Sequence, residues 1–574
     1  MIKIVIVGGV AGGASTAARL RRRDETAQII LFERGAYISY ANCGLPYYIG
    51  GMINNRSHLF LQTPESFSRR FNLDIRVNSE VIRIDRVNKM VEVKSTETGD
   101  AYTETYDKLV LSPGAEPVRP PIPGIELPGI FTLRNVPDTD RIKTFLDQRK
   151  PKRAIIVGAG FIGLEMAENL HRKNIFVTIV EMAEQVMTPL DYEMAAMVHQ
   201  HLKTKQVEFY LKEAVTAIEQ HRSELTARLS SGKSLKADMI ILSIGVRPEN
   251  RLALDANLAV GKTGGIQVNE YLQTSDPDIY ALGDAIETDN PIINRKMTAY
   301  LAGPANRQGR IVADNIATDN TIKYHGSITT AIAKVFDLTV ASTGVSEKML
   351  IRENIPYVAS ITHGSSHAGY YPGSTPLTIK IQFSPSDGRV FGAQIIGYDG
   401  VDKRIDMIAN TLKQNGTVCD LMDIEHAYAP PFSSAKDPVN IAGFVADNIL
   451  HDLVRIIQWR DIEKADPAKD FILDVRTLSE VRPGVIEGSY HIPLDDLRER
   501  LDEIPKDKRI LVYCAAGLRA YLAVRILTQH GFRDVYNLSG GYITYEHATQ
   551  KQSNEDIFDH SFIHLDGRLY SSEE

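Results

Sequence analysis

One supersecondary unit is written twice in this chain, 150 positions apart. Ile4-Val5-Ile6-Val7 runs into Gly8-Gly9-Val10-Ala11-Gly12-Gly13, and Ala154-Ile155-Ile156-Val157 runs into Gly158-Ala159-Gly160-Phe161-Ile162-Gly163. A short apolar run, a glycine turn and a helical stretch make the opening of a parallel β-α-β unit. Each copy then reaches a second apolar strand that ends in a carboxylate, Glu33 and Glu181, 20 residues after Gly13 and 18 after Gly163. Glycine lets backbone N–H groups approach a pyrophosphate, and the helix N-terminus favours its charge. A carboxylate at that interval accepts hydrogen bonds from an adenosine ribose. The first copy departs from the usual pattern at Val10, which takes the place of the middle glycine. The two units also end alike, in Leu111-Ser112-Pro113-Gly114 and Leu242-Ser243-Ile244-Gly245. The pattern predicts two dinucleotide-binding domains, one over 1–150 resumed at 270–322 and the other over 151–269. Their cofactor candidates are Gly8, Val10, Ala11, Gly12, Gly13, Glu33, Pro113 and Gly114 in the first. In the second they are Gly158, Gly160, Phe161, Ile162, Gly163, Glu181 and Gly245.

A chain of 574 residues exceeds a single hydrophobic core, so further domains are expected. Strand-like runs and one helical run predict an α+β domain over 323–446. A new unit follows at 455–548, then a polar C-terminal tail at 549–574. With 43% hydrophobic and 24% charged residues the chain has ordinary globular composition, and its formal charge of −7 argues against a nucleic-acid-coating protein. No apolar run is long enough to span a membrane. The first strand begins at once, leaving no room for a signal peptide, so a cytoplasmic protein is expected. Cys43, Cys419 and Cys514 fit neither a disulfide framework nor a zinc spacing, and no metal site is expected.

Glu181 repels a ribose 2′-phosphate and no arginine follows at once, which favours NADH over NADPH. Asp278-Ile279-Tyr280-Ala281-Leu282-Gly283-Asp284 is a short strand ending in Gly-Asp. With it, the first 320 residues or so resemble the pyridine nucleotide–disulfide reductase family in FAD/NAD order. The resemblance implies FAD in the first domain, with Gly283 and Asp284 at the ribityl chain. Such reductases usually carry C-x-x-x-x-C in the first domain. Here Ser39-Tyr40-Ala41-Asn42-Cys43-Gly44-Leu45-Pro46-Tyr47 holds one cysteine, and the next is Cys419. A relay through two neighbouring thiols is excluded, whereas one thiolate can cycle through a sulfenic acid, a persulfide or a mixed disulfide. Gly44 and Pro46 predict a turn or helix start, where N–H groups would lower the Cys43 pKa.

S-x-x-N-C-G-x-P-Y resembles the single-cysteine branch of coenzyme A-disulfide reductases, NADH oxidases and NADH peroxidases. Arg19 and Arg22 share a helix face. Gly369-Tyr370-Tyr371-Pro372-Gly373, Ala427-Tyr428-Ala429-Pro430-Pro431 and Lys436 resemble the coenzyme A members, as does Ala305-Asn306-Arg307-Gln308-Gly309. The resemblance implies coenzyme A bound by Ser15, Arg19, Arg22, Ser39, Asn42, Arg70, Asn306, Tyr370, Tyr371, Tyr428 and Lys436, with Asn42 also near the flavin. It implies a homodimer too, because the family's phenols reach the sulfur site of the partner subunit.

Near the C-terminus, Phe471–Val475 leads into Arg476, Gly488-Ser489-Tyr490-His491-Ile492-Pro493 follows, and Ile510–Tyr513 runs into Cys514-Ala515-Ala516-Gly517-Leu518-Arg519. A cysteine between a strand and a helix faces a nest of backbone N–H groups that suits a persulfide, and Arg519 adds positive charge expected to lower the Cys514 pKa. These motifs, with Asn537-Leu538-Ser539-Gly540-Gly541, resemble a rhodanese domain. The expected fold class is α/β: two Rossmann-like FAD/NAD(P)-binding domains, an α+β dimerisation domain and a C-terminal α/β rhodanese domain. The expected activity is FAD- and NADH-dependent reduction of persulfide or polysulfide sulfur, carried on coenzyme A, to sulfide. Cys43, Tyr370 and Tyr428 serve the reduction in this reading, and Cys514 with Arg519 delivers sulfur. Coenzyme A-disulfide reduction, an NADH oxidase or peroxidase activity, and a sulfur-carrier or sensor module stand as alternatives.

Overall fold

A computed structural model of the chain describes residues 1–550. The sequence-predicted tail lies, from residue 551, outside the described residues. Contacts gather into two units, residues 1–184 with 209–329, and residues 185–208 with 330 onward.

In the first unit Lys3–Val7 lies between Gln28–Phe32 and Lys108–Leu111, all parallel, and Ile279–Ala281 joins beyond Lys108–Leu111. The chain thus returns after residue 270 to complete its first sheet. Ile4, Val5 and Ile6 are buried on both faces, which is why the strand reads as an unbroken apolar run. The second sheet repeats this plan, with Arg153–Val157 between Phe176–Glu181 and Met239–Leu242. Each sheet is accompanied by a three-stranded antiparallel meander, at Ser79–Thr105 and Val215–Ala237, that the motif pattern does not foretell. The helix Ala302–Thr318 packs against Ala11–Arg23. Gly309 permits the approach, because a Cβ there would sit 2.6 Å from Gly12 O.

The second unit holds two sheets. Five antiparallel strands run in the order Ala331–Val335, Leu338–Gly344, Val390–Gly397, Pro376–Phe383, Val358–Ser365. Five parallel strands form the C-terminal sheet, with Arg509–Tyr513 at its centre. Residues 185–208 group with this unit, which the sequence order does not suggest. The reason is chemical: Asp191, Glu193 and Glu347 converge on the buried Lys380 ammonium, at 2.9 Å for Asp191 and 2.5 Å for Glu347. Burial works against that charge, and the three carboxylates outweigh it, so Lys380 stays protonated. Among the described residues no helix is long and apolar enough to cross a membrane.

Candidate active site

The two glycine turns share one hydrogen-bond plan. Glu33 accepts from Gly9 N at 2.9 Å and Gly35 N at 2.9 Å, and Glu181 accepts from Ala159 N at 2.7 Å and Ala183 N at 2.8 Å. Each carboxylate is held by its own turn and keeps lone pairs for hydroxyl donors. Gly8 and Gly158 lie at φ +96° and +100°, in the left-handed region. Gly13 and Gly163 lie so close to the turn that a Cβ would fall 1.9 Å from Gly8 O and 2.1 Å from Gly158 O. Val10 is the N-cap of Ala11–Arg23 and gives no side-chain cap, so the first N–H groups of that helix remain directed at the turn. Gly160 caps Phe161–His171 in the same way, and a Cβ there would meet no protein atom within 4 Å. The same openness surrounds Gly114 and Gly245, both at positive φ, while Ile162 is exposed. Both turns therefore have the backbone donors, dipole and clearance that a pyrophosphate requires.

Gly283–Ala285 forms a short turn after Ile279–Ala281, with Gly283 N donating to Gln308 Oε1 at 2.7 Å. Burial pushes the Asp284 carboxyl up to about 6, against the lowering effect of Arg134. Cys43 sits in a single turn, Asn42–Gly44, ahead of the six-residue helix Leu45–Gly50. Ser39 N bonds to Gly9 O at 2.9 Å, which ties this segment to the first glycine turn. Tyr47, one helical turn beyond Cys43, donates to Glu165 Oε1 at 3.2 Å. The expected low thiol pKa does not hold. Cys43 has solvent-accessible surface but sits in a recess dense with protein atoms. Desolvation first, then Glu165 and Asp284, raise its thiol above the ordinary value. Loss of solvent, with the negative neighbours, outweighs the N–H groups of a short turn.

Ser15 and Asn306 meet in a side-chain hydrogen bond across the two packed helices. Arg19 pairs with Asp314 through both Nε and Nη2, at 2.9 and 3.2 Å, so its charge is shared within the protein, whereas Arg22 and Arg70 are exposed. Asn42 is exposed beside Cys43.

In the second unit the two tyrosine loops come together. Tyr370 and Tyr428 share a hydrogen bond of 2.8 Å between their hydroxyls while both remain exposed, and Tyr371 packs edge-on against His367. Beneath them Arg404, fully buried, pairs with Asp437 at 2.8–3.1 Å and donates to Ser366 O at 2.9 Å. Asp437 accepts from Ser433 Oγ at 2.6 Å and caps Val439 N at 3.0 Å. One ion pair thus fixes both loops. Lys436 is exposed and lines a recess of about 220 Å³ with Thr362, His363, Ser434, Pro438 and Ile441.

Cys514 ends the central strand of the C-terminal sheet, and Gly517, at φ +109°, donates its N–H to Cys514 Sγ at 3.1 Å. Asp474 and Arg476 form a buried pair whose guanidinium lies 4.1 Å from the Tyr542 ring centroid, and His491 Nε2 bonds to Arg476 O at 2.7 Å. The three C-terminal motifs therefore meet in one structure. Arg519 reaches Cys514 but makes a two-pronged pair with Glu480, 2.6 Å on each arm, so its charge is not available to Cys514 alone. Burial opposes ionisation of Glu480, yet Arg519 and Thr477 bring its pKa down to about 2.

Comparison with known proteins agrees with this layout. Residues 2–309 match the pyridine nucleotide-disulphide oxidoreductase family, 330–438 its dimerisation domain, and 458–548 the rhodanese-like domain. The chain belongs to the pyridine nucleotide-disulphide oxidoreductase family. As a member of that family it is an oxidoreductase that uses a flavin and a pyridine nucleotide, with the family's dimerisation domain and a C-terminal rhodanese domain. A coenzyme A disulfide reductase of Staphylococcus haemolyticus is 35% identical over 449 residues, covering 78% of this chain and all of that protein. The structure of reduced Bacillus anthracis CoADR-RHD matches with a TM-score of 0.94 and 53% identity, over 95% of this chain and 98% of that one. An NAD-dependent persulfide reductase from A. fulgidus matches with a TM-score of 0.89 and 38% identity, over 95% and 100%.

For this pyridine nucleotide-disulphide oxidoreductase the sequence motifs missed Glu165, Tyr47, Arg404 and Glu480. Tyr47 lies within the cysteine motif, and its spacing of four from Cys43 is the one local signal of a connection between them. Nothing in the sequence links Glu165 or Glu480 to its partner, because both contacts are made across elements.

Proposed function

We propose that the chain is an FAD- and NADH-dependent reductase of persulfide sulfur, with coenzyme A as carrier and sulfide as product. The observation that carries this reading is the presence on one chain of a solitary thiol, Cys43, within the first glycine-turn unit and of a Cys514 loop with an N–H on its sulfur. The likeness to an NAD-dependent persulfide reductase over 95% of this chain supports it.

The first cradle fits FAD: Gly8, Gly12, Gly13 and Glu33 would hold the pyrophosphate and ribose, with Asp284, Pro113 and Gly114 nearer the ring. Bound there, FAD supplies two-electron transfer between NADH and sulfur. Gly158, Gly160, Gly163 and Glu181 would hold NADH, and the Glu181 carboxylate, pinned by two N–H groups, disfavours a 2′-phosphate. The Cys43 thiolate attacks the outer sulfur of a persulfide R–S–SH. The S–S bond of the substrate breaks, RS⁻ leaves and Cys43–S–SH forms. Two electrons then cleave the new S–S bond, returning the Cys43 thiolate and releasing HS⁻. The sum is R–S–SH + NADH + H⁺ giving RSH, H₂S and NAD⁺. Ser15, Arg22, Asn306 and Lys436 are the groups offered to coenzyme A, and the paired Tyr370 and Tyr428 hydroxyls to the departing thiolate. Those phenols would come from the partner subunit of a homodimer.

The second reading is coenzyme A-disulfide reduction, favoured by the name of the Staphylococcus haemolyticus relative. Stoichiometry separates the two. One sulfide per NADH from coenzyme A persulfide supports the proposal. NADH turnover with coenzyme A disulfide and none with the persulfide overturns it. In Cys43→Ser, flavin reduction by NADH is expected to persist while sulfide production vanishes.

A further inference from the structure

The edge strand Val358–Ser365 of the antiparallel sheet is covered by the rhodanese segment. Ser539 Oγ accepts from Ile361 N at 2.9 Å, and Gln458 Nε2 donates to Ala359 O at 2.8 Å, which satisfies groups that an open edge would leave unpaired. On the same strand His363 is half-buried between two partners. Its Nδ1 lies 2.9 Å from Thr378 Oγ1, and its Nε2 lies 3.0 Å from both Gly540 O and Thr544 Oγ1. A carbonyl only accepts, so Nε2 carries the proton and Nδ1 accepts from Thr378. Burial, helped by His547, holds the imidazole at about 4, neutral in this role.

Gly540 and Gly541 both lie in the left-handed region, at φ +71° and +57°. The turn they make has no spare room: a Cβ on Gly541 would stand 2.5 Å from Cys514 O and 2.6 Å from Ala515 O. Immediately after it, Tyr542 N donates to Cys514 O at 2.8 Å and Ile543 N to Ala515 O at 3.0 Å. Those two bonds hold the carbonyls at the start of the cysteine loop, and the opposite side of the loop presents the Gly517 N–H to Cys514 Sγ. Hydrogen bonds and the short stretches of backbone between them therefore connect His363, through the Gly540–Gly541 turn, to the groups around the Cys514 sulfur.

We propose that His363, a residue of the dimerisation sheet, is a positioning residue for the Cys514 loop, so that the rhodanese thiol has its working geometry only when docked on that sheet. The functional meaning rests on the reading of Cys514 as a sulfur carrier. His363 also lines the recess that holds Lys436, so the same residue borders the lysine offered to coenzyme A.

The test uses the full chain with Cys43→Ser and Cys419→Ser, leaving Cys514 as the reporter thiol, and follows its alkylation by iodoacetamide as a function of pH. His363→Asn keeps a polar group for Thr378 but falls short of Gly540 O, whereas His363→Gln places an amide N–H near the position of Nε2. His363→Asn is expected to slow Cys514 alkylation at neutral pH about tenfold, the equivalent of one buried hydrogen bond, and to move the profile to higher pH. His363→Gln is expected to retain the parent profile. Coincident profiles for Asn and Gln overturn the proposal, even if both variants melt earlier, because a purely structural residue changes stability and not thiol reactivity. Cys514→Ser with undiminished sulfide output from polysulfide would instead remove the carrier reading, and the alkylation result would still stand on its own.

Discussion

Desolvation first, and then the charges of Glu165 on one helix and of Asp284 in the turn after Ile279–Ala281, oppose ionisation of Cys43. A like charge disfavours the thiolate, so removing one must favour it. Glu165→Gln is therefore expected to shift the pH profile of Cys43 alkylation to lower pH, measured by mass spectrometry with Cys419 and Cys514 replaced by serine. A profile unchanged or shifted to higher pH would mean that the carboxylate does not act on the thiol. The same substitution removes the acceptor of the Tyr47 hydroxyl in its charged form, and Tyr47→Phe separates the two effects because it leaves the Glu165 charge in place. At Arg519 the logic is reversed. Glu480 consumes much of the guanidinium's charge, and the loop from Cys514 to Leu518 offers no other cation.

At the scale of elements, glycine turns and one buried ion pair set the geometry. A methyl group at Gly13 would overlap Gly8 O at 1.9 Å, and the obstacle is backbone, which cannot swing aside. Gly13→Ala is expected to cost about 1–3 kcal/mol in stability and to yield protein with little bound flavin, read from the thermal melt and the visible absorbance. Full flavin content with an unchanged melt would contradict the close approach. Arg404 supports the two tyrosine loops, through Ser366 O on one side and Asp437 with Ser433 on the other. Arg404→Met leaves Asp437 buried without its partner, so a loss of about 3–5 kcal/mol is expected in denaturant titrations. A loss below about 1 kcal/mol would show that the carboxylate finds other compensation.

For the whole molecule, the chemistry is divided between two contact units. Cys43 lies in the first, and Tyr370, Tyr428 and Cys514 lie in the second. Completion of the proposed sulfur site by the partner's phenols requires an isologous two-fold assembly through the dimerisation domain. Light scattering is expected to give a mass near twice the 63.8 kDa of the chain across the concentrations used for assays. An active monomer at those concentrations would exclude a site built from two subunits. Mixed dimers of a Cys43→Ser chain with a Tyr370→Phe, Tyr428→Phe chain are expected to show about half the activity of the parent dimer, since one of the two sites is then intact.

Sequence alone determined the features whose physics is local. A glycine turn between an apolar strand and a helix works through backbone conformation, and a carboxylate 18 to 20 residues later is fixed by the length of one β-α-β unit, so both cradles were legible from spacing. The solitary Cys43 and the strand–Cys514–helix loop were legible for the same reason. Electrostatics was not. The expected low pKa of Cys43 failed because desolvation, and then the charges of Glu165 and Asp284, 122 and 241 positions away in sequence, act on the thiol only after folding. Arg19 is assigned to coenzyme A by resemblance, and its pairing with Asp314, on another helix, is legible only in the fold. His363 sits between Thr362 and Gly364, neighbours that suggest no role for it, until the fold sets it 3.0 Å from Gly540 O. Charges and hydrogen bonds between distant segments depend on distances that only the packed chain defines, and those distances decided how each thiol is held.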